Sequence, residues 1–137
     1  MKKFITAIQT VLTAAVLAVA FAACSGDYSG TYKLSSLRID SADGSSTTVP
    51  AGGSYMDISY TQDSYVLHMS DDNSWYMTMQ FEDETESEYG TWRDEGGGNL
   101  VLTDSYGDEL SATVDGDTVV VVLPDDDVTY FVTMVRQ

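Results

Sequence analysis

Apolar and polar residues alternate with a period of two along most of the chain after residue 30. The clearest run is Trp75-Tyr76-Met77-Thr78-Met79-Gln80-Phe81. Such alternation predicts strands with one buried face, and no segment has the 3.6-residue period of a long amphipathic helix. The predicted strands cover residues 31–39, 56–60, 64–70, 75–81, 89–93, 99–103, 110–114, 118–123 and 128–135.

Short turn-forming segments separate these strands at near-regular spacing. They are residues 70–74, 96–98, 104–108, 115–117 and 124–127. About nine short strands joined mostly by hairpins predict an all-β meander that closes into a small barrel or folds into a sandwich. Closure would remove exposed strand edges. In the first strand the apolar positions change face between Leu34 and Leu37, which predicts a β-bulge at Ser35-Ser36.

The N-terminal segment differs from the rest of the chain because it is apolar and carries charges only at its start. Lys2 and Lys3 precede an uncharged Ala/Val/Leu-rich stretch, as in a secretory signal. The junction Phe21-Ala22-Ala23-Cys24 resembles the lipobox of bacterial lipoproteins. That resemblance implies a signal peptide over 1–23, lipidation of Cys24 with long acyl chains such as palmitate, a tether over 24–29 and one domain over 30–137. An uncleaved transmembrane helix and a secreted protein with a free thiol are the alternatives.

The strongly negative net charge of the chain limits the kinds of partner that it can bind. The 137 residues include 22 Asp and Glu against 6 Lys and Arg, a net charge of −16. Loss of residues 1–23 would leave four basic residues and a charge of −18. The sequence has no basic patch that could bind phosphates, so we predict no nucleic-acid partner. The strongly negative surface favours a monomer that attracts cations or basic proteins. The single Cys excludes an internal disulfide and a cysteine-based zinc site.

Signals for catalysis are absent from the sequence. His68 lies on a predicted strand with no marked nucleophile or acid beside it, and there is no Gly-x-Ser-x-Gly motif. We therefore predict a protein that is not an enzyme, with no cofactor and no metal centre. The acidic runs 71–73, 82–88 and 125–127 lack EF-hand spacing and predict soluble hairpin tips, with weak divalent-cation binding or docking of a basic protein as alternatives.

Four short motifs resemble the lipocalin-like domains of bacterial envelope lipoproteins, and together they span nearly all of residues 28–137. They are Gly30-Thr31-Tyr32-Lys33-Leu34, Tyr89-Gly90-Thr91-Trp92, the hairpin 112–119, and Thr129-Tyr130-Phe131 followed by Arg136. The resemblance implies a small antiparallel up-and-down barrel of about 8–9 strands. It also implies that Tyr32 takes the place of the lipocalin Trp and that Arg136 packs on its ring to close the barrel base.

Two functions remain open. In the first, a lipid-anchored, lipocalin-like module on the extracytoplasmic side of a bacterial cell envelope binds a small apolar ligand among Met and aromatic side chains. The candidate lining residues are Met56, Tyr60, Leu67, Met77, Met79 and Trp92. In the second, the same side chains fill a solid core, and the protein is a structural or interaction module that acts through its acidic loops.

Overall fold

The computed structural model describes residues 27–137, and these residues form eleven β-strands. The strands are β1 (Gly30–Ser41), β2 (Ser46–Pro50), β3 (Ser54–Tyr55), β4 (Ile58–Ser59), β5 (Tyr65–Met69), β6 (Ser74–Phe81), β7 (Glu84–Gly96), β8 (Asn99–Asp104), β9 (Glu109–Asp115), β10 (Thr118–Asp125) and β11 (Val128–Arg136). Within the same residues, no helix has the length and hydrophobicity that a membrane span requires. The predicted signal peptide and Cys24 lie outside the described residues.

Eight strands close into an antiparallel barrel. Strands β5 to β11 pair in chain order, and β11 pairs back to β1 over almost its whole length. The other edge of β1 is divided: Gly30–Lys33 pair with β5, and Ser36–Asp40 pair with β2. The structure therefore confirms the all-β barrel prediction, with β2 as one extra strand beside it, and a sandwich is not formed.

The predicted bulge in β1 is present. The pairing of β1 with β11 shifts between Leu34 and Ser36, so Ser35 is the extra residue. Both Leu34 and Leu37 are buried as a result. A bulge of this kind bends the strand, and the bend lets β1 change partners from β5 to β2.

Two predictions about local structure are wrong. Residues 56–60 do not form one strand, because Met56 and Asp57 have positive φ angles of 52° and 65° and make the two-residue turn between β3 and β4. The acidic run 82–88 is not a hairpin tip. Only Glu82 and Asp83 form the turn, and the remainder belongs to β7 and pairs with β6.

The two ends of the barrel differ. At the first, which we name the closed end, the start of β1 and the end of β11 meet the turns at 70–73, 97–98 and 116–117. At the second, the open end, are the turns at 42–45, 82–83, 105–108 and 126–127 and part of the segment 51–64. Large side chains fill the interior from the closed end to the middle of the barrel: Tyr32, Leu34, Leu67, Trp75, Met77, Leu102, Val119, Val132 and Met134.

Candidate functional site

Tyr32 and Arg136 meet at the closed end, as the lipocalin resemblance implies. The guanidinium carbon of Arg136 lies 5.4 Å from the centre of the fully buried Tyr32 ring. The Arg136 side chain also donates hydrogen bonds to the carbonyl oxygens of Ser29 (2.7 Å) and Asp27 (3.2 Å) and to the carboxylate of Asp117 (3.2 Å). It therefore ties the segment before β1 to the end of β11 and to the turn after β9.

Replacing Arg136 with glutamine tests how much this closure stabilises the fold. We expect Arg136→Gln to lower the free energy of unfolding by about 1–3 kcal/mol, because the carbonyls of Ser29 and Asp27 lose a charged donor. Arg38→Gln is the matched control, since Arg38 also lies over a ring, that of Phe131, and pairs with Asp40. The Arg38 side chain is 49% exposed, against 25% for Arg136, and solvent weakens its interactions more. We therefore expect Arg38→Gln to lower the free energy of unfolding by only about 0.5–1 kcal/mol. Equal losses in urea unfolding would contradict a special role for Arg136.

The open end contains a cavity of about 280 Å³. The segment after β2 reaches this end, where Tyr60 is held by two backbone hydrogen bonds, one to Gly52 and one to Gly53. Tyr55 and Ile58 of the β3–β4 hairpin pack against the core from the same segment. Nine residues line the cavity: Ile58, Tyr60, Tyr65, Met79, Phe81, Glu86, Leu123, Asp125 and Tyr130.

Aromatic rings dominate the cavity wall. The ring of Phe81 makes edge-to-face contacts with Tyr65, at a centroid distance of 5.5 Å, and with Tyr60, at 6.0 Å. Such perpendicular arrangements fix the rings relative to one another. Met79 is buried behind them, and its unbranched side chain can adapt to the shape of a ligand.

The tyrosine hydroxyls of the cavity remain protonated at neutral pH. Burial raises the pKa of Tyr65 far above its ordinary value, and the neighbouring Tyr60, Tyr130 and Glu86 raise it further. Burial likewise raises the pKa of Tyr60, and burial together with the nearby Asp125 raises the pKa of Tyr130. These groups therefore offer neutral hydroxyls to a ligand and add no negative charge.

Two carboxylates complete the cavity lining. Glu86 lies directly opposite Met79 in the β6–β7 pairing, so the two side chains share the inner face of the sheet. Asp125 is two residues beyond the buried Leu123 on β10 and therefore also lies on the inner face. Among the described residues neither carboxylate makes a hydrogen bond or an ion pair with another side chain.

The barrel wall is low between these carboxylates. Strand β8 pairs only with Gly90–Gly96 of β7, and β9 pairs only with Thr118–Val121 of β10. The parts of β7 and β10 nearer the open end consequently extend past the short β8–β9 hairpin. In the described structure no residue of β8 or β9 lines the cavity.

The six predicted ligand-lining residues separate into three groups. Tyr60 and Met79 line the cavity, whereas Leu67 and Met77 are buried deeper in the filled core. Trp92 is half-buried at the closed end, where its ring meets Tyr28 edge-to-face and its Nε1 donates to the Ser70 carbonyl. Met56 is 76% exposed in the β3–β4 turn, which excludes it from the interior.

Most of the cavity lining was absent from the sequence-based candidates. Ile58, Tyr65, Phe81, Leu123 and Tyr130 all lie at apolar positions of predicted strands, so the alternation indicated burial for them without indicating which end of the barrel they reach. The position of Glu86 relative to Phe81 is a signal that the sequence does contain. A two-residue turn after Phe81 places residue 86 opposite Met79, at an inward position.

His68 lies on the outer face of β5. Its Nδ1 is 3.1 Å from the Thr31 hydroxyl, and its ring stacks on Tyr76 of the neighbouring strand with a centroid distance of 5.7 Å. In residues 27–137 no three His, Cys, Asp or Glu side chains converge in a way that could hold a metal ion.

No protein-family model, curated protein or solved structure matches this chain. The functional conclusion consequently rests on the cavity and on the residues around it.

Proposed function

We propose that this protein is a lipid-anchored, non-catalytic binding module of the bacterial cell envelope, in which a lipocalin-like barrel holds one small, largely apolar molecule in its open-end cavity. The observation that carries the proposal is the cavity itself. Its volume of about 280 Å³ is close to the lower bound of roughly 300 Å³ for small-molecule sites. The lipobox-like junction at Cys24 supports the anchored location on the extracytoplasmic side.

The distribution of packing supports binding at one end. Trp75, Met77 and Met134 are almost completely buried in the part of the barrel between the closed end and Met79, so a ligand would enter only the part beyond Met79. Aliphatic and aromatic groups form most of that part, and a few polar groups stand at its edge. This combination is typical of sites that bind a small molecule through apolar burial and orient it through a few polar contacts.

A cavity-filling variant tests the proposal. Ile58 is half-buried and lines the cavity, and Ser59 beside it is exposed. We expect Ile58→Trp to fill part of the cavity and to weaken binding of 4-phenylbutanol, a small neutral apolar probe, by about tenfold or more in isothermal titration calorimetry. Ser59→Trp is the control, because it adds the same ring to the same hairpin on the exposed side and should leave the affinity within about twofold.

Native and denaturing mass spectrometry of the purified full-length protein provides a second readout. A mass retained in the native spectrum and lost on denaturation would identify a bound molecule directly. An apo mass together with no binding of 4-phenylbutanol to the unmodified protein would contradict the proposal. It would favour instead a solid module that interacts with other envelope proteins through its acidic loops.

A further inference from the structure

We propose that the ligand is an organic cation, with its apolar body among the aromatic rings of the cavity and a protonated amine or quaternary ammonium between Glu86 and Asp125. This inference rests on the proposed binding function and names the chemical class that the site selects. It is carried by the conjunction of an aromatic cavity with two unneutralised carboxylates on its inner wall.

The position of Glu86 is unusual for a charged residue. It lies opposite Met79 on the inner face of the sheet, where a barrel strand ordinarily carries an apolar side chain, and it is exposed to solvent at the open end. Asp125 extends the inner face of β10 directly beyond Leu123. Because two carboxylates of like charge border the apolar cavity, their field attracts a positive charge and repels a negative one, and the two groups favour a cationic ligand over a neutral or anionic one.

The described part of the protein, residues 27–137, supplies no cation to these carboxylates. Each of the four basic side chains in residues 27–137 already has an acidic partner: Lys33 pairs with Asp63, Arg38 with Asp40, Arg93 with Glu95 and Glu109, and Arg136 with Asp117. None of these described bases lines the cavity. The adjoining surface depression, which shares Ile58 and Phe81 with the cavity, adds Glu82, Asp83 and Glu84. The negative potential at the cavity mouth is therefore left for a ligand to neutralise.

The aromatic rings suit the same ligand. A cation is attracted to the face of an electron-rich ring, and sites for quaternary ammonium groups are formed from several such rings. Phe81 stands nearly perpendicular to both Tyr60 and Tyr65, with interplanar angles of 81° and 77°, so the rings present surfaces in different directions. The neutral hydroxyls of Tyr65 and Tyr130 can accept hydrogen bonds from a protonated amine.

Three probes that share the same phenylbutyl group and differ in the charge of their terminal group test whether the cavity selects for charge. They are 4-phenylbutylamine, 4-phenylbutanol and 4-phenylbutanoate, titrated calorimetrically into the full-length protein at physiological ionic strength. We expect the amine to bind about tenfold more tightly than the alcohol, which corresponds to about 1.4 kcal/mol. The carboxylate probe should bind more weakly than the alcohol, because Glu86 and Asp125 repel it.

The double variant Glu86→Gln/Asp125→Asn should abolish the preference for the amine, so that the ratio of the amine affinity to the alcohol affinity, both measured in that variant, falls from about ten to about one. Asp71→Asn/Asp115→Asn is the matched control, since it removes the same charge from exposed positions at the closed end and should retain the preference for the amine.

Each of the remaining outcomes of these titrations contradicts one or both of the proposals. Equal binding of the amine and the alcohol to the unmodified protein would refute the cationic ligand and leave the proposed binding function intact. A preference for the amine that persists in Glu86→Gln/Asp125→Asn would refute the role of these two carboxylates. No binding of any probe would refute both the cation selectivity and the proposed function.

Discussion

Cys24→Ala is expected to abolish fatty-acid labelling of this protein completely. The full-length chain, expressed in a bacterium grown with an alkyne-tagged palmitate, should carry the tag and should begin at Cys24 after processing. The physical reason is that only the thiol of Cys24 lies at the lipobox-like junction, and no other cysteine in the chain can accept the lipid. Labelling is followed by fluorescence of the purified protein and by its intact mass.

Ser25→Ala is the control for this experiment, because it leaves Cys24 and the three residues before it unchanged and should be labelled like the unmodified chain. Intact mass is the decisive readout, since an unprocessed variant could stay at the membrane through its uncleaved apolar segment. An unlabelled wild-type protein with a free thiol would contradict lipidation and support the secreted alternative.

Gly90→Ala is expected to destabilise the barrel by about 3 kcal/mol or more, a large part of the roughly 5–15 kcal/mol that stabilises a small domain. A Cβ atom at residue 90 would overlap the carbonyl oxygen of Thr103 and lie 2.9 Å from Cα of Asp104. Both are backbone atoms, so β7 and β8 would have to separate. Trp75 opposes this separation, since its Nε1 donates hydrogen bonds to the carbonyls of Thr91 and Thr103.

Urea unfolding measures this effect, and Gly116→Ala controls for the loss of a glycine. Gly116 has a φ angle of 64°, and a Cβ atom added there would meet nothing within 4 Å, so only backbone strain of about 1–2 kcal/mol is expected. A Gly90→Ala variant as stable as Gly116→Ala would show that β7 and β8 can move apart easily at this point.

The sequence by itself determined the approximate positions of the eight barrel strands, apart from the first part of β7, together with their buried faces and the bulge in β1. These features depend on local alternation: an apolar residue at every second position requires one buried face, and the change of face between Leu34 and Leu37 requires an extra residue. The alternation wrongly predicted a strand and a buried side chain at Met56, because Met56 and Asp57 both have positive φ angles and reverse the chain there. It also did not reveal β2, whose short polar segment has a single fully buried residue, Val49.

Only the tertiary structure decided which inward residues form the cavity. Tyr65, Phe81 and Tyr130 share an apolar pattern with Leu67 and Met77, yet the first three reach the open end and the last two lie in the filled core. That difference depends on the strand register, on the length of the β8–β9 hairpin relative to β7 and β10, and on the packing of residues 52–60 at the open end. Each of these features is a contact between parts of the chain that are distant in sequence. Pairing also turned Glu86 inward, because the two-residue turn at Glu82 and Asp83 sets its register against Met79.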